Sequence, residues 1–327
     1  NTESRVYDTF FTSTKAAYVA EPVDSVYKEP VTWKWVRGLS DAGSRLGERI
    51  EFGVIVGSFN GSTDLAFGSL DTVTPQDAEI AVPGWLTPTT KALSVGISKQ
   101  KLDANKGAMK YNYVKGQLDQ AIRGQHAEFN TDLWAASQDA LKILSIATAV
   151  STTTSTGSVT NLSRATYSRW RQTYTNLAGD AFTVSGLNGA RDTEHSMRLG
   201  PTTGGPDTIF WNDTVDALWQ RLTDGKEWTE MATGGGKGKK PVISESAVFR
   251  GCEILPEPTD YPNSTTARFL ESSFWHYKPF QKDLPGDPKS PYNDGAGWYA
   301  YPVVQCGALF CTSLRWGAAI MGNFLGS

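Results

Sequence analysis

Hydrophobic and polar positions near the start of the chain predict β-structure. Residues 31–36 and 50–56 are rich in β-branched and aromatic side chains, which is typical of strands. A second β-rich passage, residues 79–98, alternates around turn chemistry at Pro83-Gly84. We expect the two passages to pair as a long projecting hairpin. Its charged tip would have little core beneath it, so the hairpin would need a neighbour to rest on.

The pattern becomes helical from about residue 107 to residue 145, where apolar residues recur mostly at steps of three, four or seven. A helix of about 35 residues would be roughly 50 Å long, the longest in the chain. Gly116 and Gly124 each cost about 1 kcal/mol relative to Ala, so two shorter helices remain an alternative. The apolar positions are Val114, Leu118, Ile122, Phe129, Leu133, Leu141 and Leu144.

Three further stretches are predicted by weaker signals. Residues 1–30 show no sustained period and have the character of an extended arm. A second helix is predicted at about 164–177, with Ser163 as its N-cap. Residues 178–206 have the composition of a loop.

The second half of the chain mixes strands and helices. Residues 207–212 predict a buried strand, and residues 214–222 predict an amphipathic helix capped by Asn212 or Asp213. A strand followed by a helix suggests an α/β layer. Further strands are expected at 242–243, 247–254, 267–270 and within 299–325.

Composition and charge exclude several classes of protein. The chain has 327 residues, 39% of them hydrophobic, which is enough for two or three packed subregions. Its net charge of -3 lacks the positive excess of a dedicated nucleic-acid binder, so any contact with DNA would be local. No stretch approaches the roughly 18 apolar residues of a membrane span, and residues 1–11 lack the order of a signal peptide. We expect no membrane partner.

Motifs for catalysis and metal binding are not found. The three histidines lie far apart without an HExxH pattern, and the three cysteines form no CxxC pair. The basic loop 234–240 fails the phosphate-binding pattern because Thr233 stands at the first glycine position. We therefore predict no catalytic residue, no cofactor and no metal, with the cysteines as buried free thiols. The residues concerned are His126, His195, His276, Cys252, Cys306 and Cys311.

The aromatic residues suggest a sugar-binding function. They could line a sugar-binding face, although cores and subunit contacts also use aromatic side chains. Paired carboxylates of a glycosidase are recognised by spatial separation, not by sequence spacing. A β-rich carbohydrate-binding protein or glycosidase is therefore one hypothesis for the function. The aromatic residues are Trp33, Trp35, Trp85, Trp298 and Tyr299.

One segment resembles a known family. Residues Asn161-Leu-Ser-Arg-Ala-Thr-Tyr-Ser-Arg-Trp-Arg171 are similar to a recurring stretch in major capsid proteins of tailed bacteriophages, the Hong Kong 97-like family. That family often has Gly-Gly-Ile-Asp before the arginine, where this chain has Val159-Thr-Asn-Leu-Ser. The predicted long helix and residues 207–222, 249–254 and 305–311 resemble further capsid segments in the same order. A short-tailed phage of Bordetella is one candidate source of this chain. With the capsid interpretation first and the carbohydrate-binding protein second, a tail or decoration protein of a virion is the third hypothesis.

The resemblance implies an α+β Hong Kong 97-like capsid fold and a non-enzymatic role. The chain would self-assemble, as pentamers and hexamers, into an icosahedral head around double-stranded DNA. Its partners would be scaffold and portal proteins and a cement or decoration protein, with assembly in the bacterial cytoplasm and a final location in the virion. The implied parts are an N-terminal arm at 1–30, an extended loop at 31–100, a peripheral domain with a spine helix at 101–178, an axial domain at 179–300, and return strands at 301–327.

Two sets of charged residues are candidates for contacts in such a shell. The first lies on the predicted hairpin, where intersubunit ion pairs are expected, and comprises Arg37, Arg45, Glu48 and Arg49. The second lies near or on the predicted long helix, where modest positive charge could meet packaged DNA, although a solvated helix face explains it as well. It comprises Lys106, Lys110, Lys115 and Arg123.

Overall fold

The computed structural model describes residues 30–39, 49–56, 81–104, 108–178, 184–198, 205–223, 248–257, 261, 265–279, 292–293 and 298–323. The chain divides into two compact units, each built from separate stretches of sequence. The first unit comprises Asn1–Pro30, Lys91–Phe129 and Asp283–Gln305. The second comprises Val31–Thr90, Asn130–Lys282 and Cys306–Ser327.

Helices and strands alternate irregularly along the described residues, as expected for an α+β protein. The helices are α1 (Val31–Gly38), α2 (Lys99–Ala104), α3 (Ala108–Leu133), α4 (Ile146–Ala149), α5 (Val184–Arg198), α6 (Asp213–Thr223) and α7 (Leu314–Gly317). The strands are β1 (Ile50–Ile55), β2 (Ala81–Leu86), β3 (Thr89–Ser98), β4 (Ser158–Val159), β5 (Leu162–Ser163), β6 (Thr173–Asn176), β7 (Thr208–Trp211), β8 (Val248–Phe249), β9 (Cys252–Pro256), β10 (Thr266–Leu270), β11 (Trp275–Pro279), β12 (Tyr292–Asn293), β13 (Trp298–Cys311) and β14 (Ala318–Gly322).

A six-stranded mixed sheet organises the second unit. Its strand order is β6-β14-β10-β7-β9-β8. The pairs β6/β14 and β7/β9 are parallel, and the other pairs are antiparallel. Every residue of β7 and β10 is buried, as expected for central strands. The strand predicted at 207–212 is confirmed.

Both faces of this sheet are covered. On one face, α5 and α6 supply Ala190, Met197, Val215 and Trp219 to a core that includes strand residues such as Phe269. On the other face, Trp35 of α1 and Trp134 approach Phe210 edge-on, with ring centroids 5.4 and 5.6 Å apart. Helices on both faces of a central sheet make this unit three layers deep.

The start of α6 is set by a side-chain cap. Asn212 Oδ1 accepts a hydrogen bond from the backbone N–H of Val215 at 3.0 Å, which satisfies one of the free donors of the first turn. Asp213 and Asp216 place negative charge in that turn, where the helix dipole favours it. The predicted helix and its cap at Asn212 are confirmed.

The strand predicted at 31–36 is wrong, because these residues form the helix α1. Two residues distant in sequence accept the N–H groups of its first turn. Glu257 Oε2 accepts from Thr32 N at 3.2 Å and from Thr32 Oγ1 at 2.8 Å, and Asn130 Oδ1 accepts from Trp33 N at 3.0 Å. These tertiary caps, together with burial of Trp33 and Val36 on one side, outweigh the strand propensity of the segment.

The helix predicted at 164–177 is also wrong. The segment contains only a short 3₁₀ turn at Ser168–Trp170 and then β6, which pairs in parallel with β14. The Arg164 guanidinium donates to the carbonyl oxygens of Thr148 and Ala149 in α4 and to that of Thr153. Sheet pairing and this buried arginine therefore decide the local structure.

Residues 178–206 are not a loop throughout, because α5 occupies Val184–Arg198. Its buried residues Ala190, Thr193, Glu194 and Met197 follow helical spacing. Gly189 allows the close approach, since a Cβ at that position would lie 2.5 Å from the Leu177 side chain. Gly189 therefore reflects close packing of α5, and it does not indicate a loop.

The long helix α3 has 26 residues, about 39 Å, and begins in the first unit. Gly116 and Gly124 do not interrupt it. The helix ends at Leu133, twelve residues before the predicted end at 145. Within the first unit, Gln125 Nε2 donates to Val303 O of β13 at 3.0 Å.

None of the helices in the described part of the chain is long and apolar enough to cross a membrane.

The capping of α1 gives a first prediction. Glu257 is 2% exposed, so Glu257→Ala would leave the Thr32 donors buried and unpaired, at a cost of about 1–3 kcal/mol. We expect a lower urea midpoint and faster hydrogen exchange in α1. Glu257→Gln keeps an oxygen acceptor for the same donors and should lose much less. Equal stability of the Ala variant and the unmodified chain would contradict this role.

Candidate assembly surface

The hairpin formed by β1 and β2 is the clearest surface feature of the second unit. The strands pair antiparallel from Ile50 opposite Leu86 to Ile55 opposite Ala81. This confirms the predicted pairing for residues 50–55 and 81–86, whereas residues 89–98 form β3 and pair with β13 instead. In such a pair, directly opposed residues share a face, so the ribbon has one inner and one outer set of side chains.

The inner face packs on the chain's own core. Phe52 stacks on Phe310 of β13 with ring centroids 4.9 Å apart, and Ile50 is buried beside it. Gly84 lies opposite Phe52, and a Cβ there would stand 2.9 Å from the Phe52 ring. The absence of a side chain at Gly84 therefore lets the aromatic ring lie flat under the ribbon.

The outer face is exposed and largely apolar. It comprises the opposed pairs Glu51/Trp85, Gly53/Pro83 and Ile55/Ala81. All four residues of the last two pairs are exposed, and Ile55 is 73% exposed. A solvated outer face would normally carry polar residues between the inward apolar ones. Apolar residues on both faces are typical of a strand pair that is covered on both sides.

Arg49 binds within its own hairpin. Its guanidinium lies 3.9 Å from the centre of the Trp85 ring, and its Nε is 3.1 Å from Glu51 Oε1. Glu51 and Trp85 are opposed on the outer face, so Arg49 covers the polar end of that face. Arg37 lies elsewhere, exposed in the last turn of α1.

The structure thus brings Arg49 to the hairpin but not Arg37. Arg45 and Glu48 lie outside the described residues. The predicted intersubunit ion pairs of all four residues stay a prediction.

The candidate DNA contacts are placed only in part. Lys110 and Lys115 lie on α3, and Arg123 lies further along the same helix with an exposed side chain. Lys106 lies outside the described residues. Their contact with DNA stays a prediction.

Reactive chemistry finds no support among the described residues. They contain no group of three or more His, Cys, Asp or Glu side chains placed to hold a metal. All three cysteines are free; Cys252 and Cys311 are buried and Cys306 is half-buried. Burial, with a smaller contribution from the negative charge of Glu194, raises the pKa of Cys252 to about 12. That thiol stays protonated, and so a poor nucleophile, at neutral pH.

Three aromatic residues of the sugar-binding alternative, Trp33, Trp35 and Trp85, are packed or covered within the second unit. Trp33 is 1% exposed and packs edge-on against Tyr277. Trp35 donates a hydrogen bond from Nε1 to Thr208 Oγ1 and lies against the core. Trp85 is covered by Arg49. Trp298 is 47% exposed, in the first unit.

The segment that carries the family resemblance is structural in this chain. Arg164 is 3% exposed, and its guanidinium also donates to Ser151 Oγ at 3.0 Å. Burial lowers the pKa of this arginine. Arg171 Nε donates to Arg164 O at 2.7 Å, and Trp170 is buried. These residues hold a loop against the core.

Sequence reasoning had not singled out the outer face of the hairpin. The signal was present in Gly53, Ile55, Ala81 and Pro83, which lie between the inward residues of the two strands. When apolar residues occupy both the inward and the outward positions of a strand, the pattern indicates that both faces of the strand pair are covered.

The two glycines of the hairpin give a second prediction. Gly84→Val would collide with the Phe52 ring and lift the ribbon, so β1 and β2 amides should exchange hydrogen much faster. Gly53→Val is the matched control, since no atom lies within 4 Å of a Cβ at Gly53 on the outer face. Equal exchange rates in the two variants would show that the inner face does not hold the hairpin.

Comparison with known proteins identifies the fold. No family model matches the sequence, and no curated protein matches it either. Among solved structures, the capsid of cyanophage A-1(L) superposes with a TM-score of 0.71 at 14% identity, over 94% of this chain and 96% of that one.

Two further structures match over similar lengths. The capsid of a native GTA particle gives a TM-score of 0.61 at 11% identity, over 94% of this chain and 96% of that one. A holo encapsulin complex from Synechococcus elongatus gives 0.58 at 12% identity, over 96% of both chains. Near-complete coverage in both directions means that the whole architecture is shared. The chain therefore has the α+β Hong Kong 97-like fold found in capsid proteins of tailed phages.

Proposed function

We propose that this chain is a shell subunit, the major capsid protein of a tailed bacteriophage, which self-assembles into an icosahedral head around double-stranded DNA. The observation that carries the proposal is the match of the entire chain to capsid structures, at 94% coverage of this chain and 96% of the cyanophage capsid chain. A role of this kind is structural and needs no catalytic residue, cofactor or metal.

The outer face of the hairpin supports self-association independently of the comparisons. Ile55 and Pro83 are exposed on a ribbon whose other face already packs on Phe310. In a shell, the neighbouring copy of the chain would cover these apolar residues. Many modest contacts of this type, repeated by symmetry, would stabilise a large particle.

The parts of the chain would divide this work. Residues 1–30 would serve as an arm and residues 31–100 as the extended loop over a neighbour. Residues 101–178 and 301–327 would form the peripheral domain, with α3 as its spine, and residues 179–300 the axial domain. Pentamers and hexamers would form from identical copies, with scaffold and portal proteins and a cement or decoration protein as further partners in the host cytoplasm.

Packaged DNA would meet the shell through a few positive side chains. We place Lys106, Lys110, Lys115 and Arg123 in this role, because modest local charge is sufficient for non-specific phosphate contact. The net charge of -3 agrees with weak and distributed contact, not with tight DNA binding.

Assembly of the purified chain tests the proposal. We expect shells, tubes or ring-shaped capsomers by light scattering and negative-stain microscopy, either alone or with a candidate scaffold protein from the same genome. A compact monomer under every condition would overturn the shell function. Empty shells that never package DNA in the presence of portal and packaging proteins would instead favour a compartment shell, since an encapsulin complex shares this fold.

The charged residues before β1 give a further prediction. Charge reversal at Arg45 and Arg49 together should prevent or greatly weaken assembly, because the proposed intersubunit ion pairs would become repulsive. Arg49 also binds Glu51 and Trp85, so Glu51→Gln serves as a control for loss of that internal pair alone. Normal particles from the double reversal would contradict the ion pairs without contradicting the shell.

A further inference from the structure

A two-residue turn beside the hairpin has a strained backbone. Strands β4 and β5 pair antiparallel, with Val159 opposite Leu162, and Thr160 and Asn161 connect them. Both connecting residues have positive φ, 50° for Thr160 and 64° for Asn161, which is the pattern of a type I′ turn. Asn tolerates this conformation, whereas a β-branched residue rarely adopts it. In the described part of the chain, Thr160 is the one β-branched residue with positive φ.

The two ends of this turn are fixed by further contacts. Arg164 N, directly after β5, donates to Gly157 O, directly before β4, at 2.9 Å. The buried Arg164 side chain also donates to Thr148 O at 3.0 Å. Thr160 itself is 8% exposed, and its Oγ1 donates to Val159 O at 2.7 Å. The strain is therefore confined to the tip of the turn, because both of its ends are held.

The tip of the turn binds the free edge of the hairpin. Trp85 N donates to Thr160 O at 3.1 Å. Trp85 lies directly opposite Glu51, and an N–H group that is given to Thr160 points away from β1. Leu162 approaches the same strand, since a Cβ at Gly84 would lie 3.4 Å from Leu162 Cδ1. The turn and β5 therefore contact β2 at two successive residues.

A cavity of about 240 Å³ lies beside this contact. Protein interiors contain few voids larger than a water molecule, so the base of β2 is incompletely packed on this side. The chain is held again at Thr89, whose Oγ1 donates to Gly307 O at 3.3 Å, shortly after β2 ends. The base of the hairpin therefore has space to shift between two fixed points. The cavity wall includes Trp85, Leu86, Ile143, Leu144, Thr160 and Asn161.

Strain and hydrogen bonding oppose each other at Thr160. A residue in a sparsely populated backbone region costs free energy comparable to the net contribution of one or two hydrogen bonds. The bond from Trp85 N therefore offsets much of the strain. Type I and type I′ turns are mirror images, so a turn that relaxed to negative φ would direct Thr160 O away from Trp85. The strained turn and the bound hairpin are thus coupled, and each stabilises the other.

We propose that the turn Thr160-Asn161 is a strained latch that holds the hairpin in the observed orientation. When the latch is closed, Trp85 is bound and the outer face of the hairpin is presented in a fixed direction. When it is open, the turn relaxes and the base of the hairpin shifts toward the cavity. The role of the latch in assembly rests on the proposed shell function, because a neighbouring copy would meet the outer face in the orientation that the latch sets.

Hydrogen exchange of the Trp85 amide in the unassembled chain measures the latch. Thr160→Asn introduces a residue that favours type I′ turns, so this amide should exchange about five- to tenfold more slowly. Thr160→Val is the matched control, since it keeps the β-branch and the strain and removes only the hydroxyl, and it should not slow exchange. Thr160→Pro fixes φ at about −65° and opens the latch, so the amide should exchange about tenfold faster or more.

The Asn variant keeps the test independent of folding defects, because slower exchange does not arise from a chain that fails to fold. Equal exchange of the Trp85 amide in Thr160→Asn and the unmodified chain would overturn the latch. Equal slowing in Thr160→Val would overturn it as well, since that variant leaves the strain in place.

The concentration needed for assembly tests the link to the shell. Thr160→Asn should lower that concentration by about threefold or more, because the hairpin is better pre-organised for its neighbour. Slower exchange with an unchanged assembly concentration would overturn the link to assembly. Failure of the unmodified chain to assemble would count against the shell function, whereas the exchange rates of the unassembled variants would still decide the latch.

Discussion

A two-stranded ribbon has two faces, and the core of one chain covers only one face of the hairpin formed by β1 and β2. The inner face is held by the stacking of Phe52 on Phe310 and by the space left at Gly84. The outer face leaves Ile55 and Pro83 exposed. Apolar residues on both faces are typical of strands that are covered on both sides, so a second surface over Ile55 and Pro83 would bury the outer face as well. The proposed shell function would supply that second surface, because a neighbouring copy of the chain would cover the outer face.

The second unit supplies a rigid base for these surfaces. Its six-stranded sheet is covered on both faces, and α1 is fixed by Glu257 and Asn130 from distant parts of the chain. Buried Arg164 holds the loop before β6 through backbone carbonyls. These interactions involve no reactive group, but they fix the position of the hairpin relative to the second unit's core.

The sequence predicted best those elements whose signals are local. The cap at Asn212, the buried strand β7 and the two strands of the hairpin were all recognisable from neighbouring residues. The long helix was recognised as well, although its end was placed too late, because Leu141 and Leu144 continue the apolar spacing beyond Leu133. The apolar spacing there reflects an exposed turn residue and a separate buried one.

The elements that were missed depend on contacts between distant residues. Strand propensity in 31–36 is outweighed by caps from Asn130 and Glu257. Gly189 of α5 reflects the close packing of that helix on Leu177 and Met321. The hairpin that we propose as an assembly surface was predicted from its charges, which drew attention to Arg49, whereas its exposed apolar residues lie on the strands beyond Arg49. The contacts between copies of the chain depend on the symmetry of the assembly, and a single sequence does not specify that symmetry.

Electron cryomicroscopy of particles assembled from this chain is the most direct test of the central claim. The account predicts an icosahedral shell in which the outer face of the hairpin, with Gly53, Ile55 and Pro83, is buried against a neighbouring copy of the chain. A closed particle in which that face remains exposed to solvent would contradict the role given to the hairpin, and a chain that forms no particle at all would contradict the shell function.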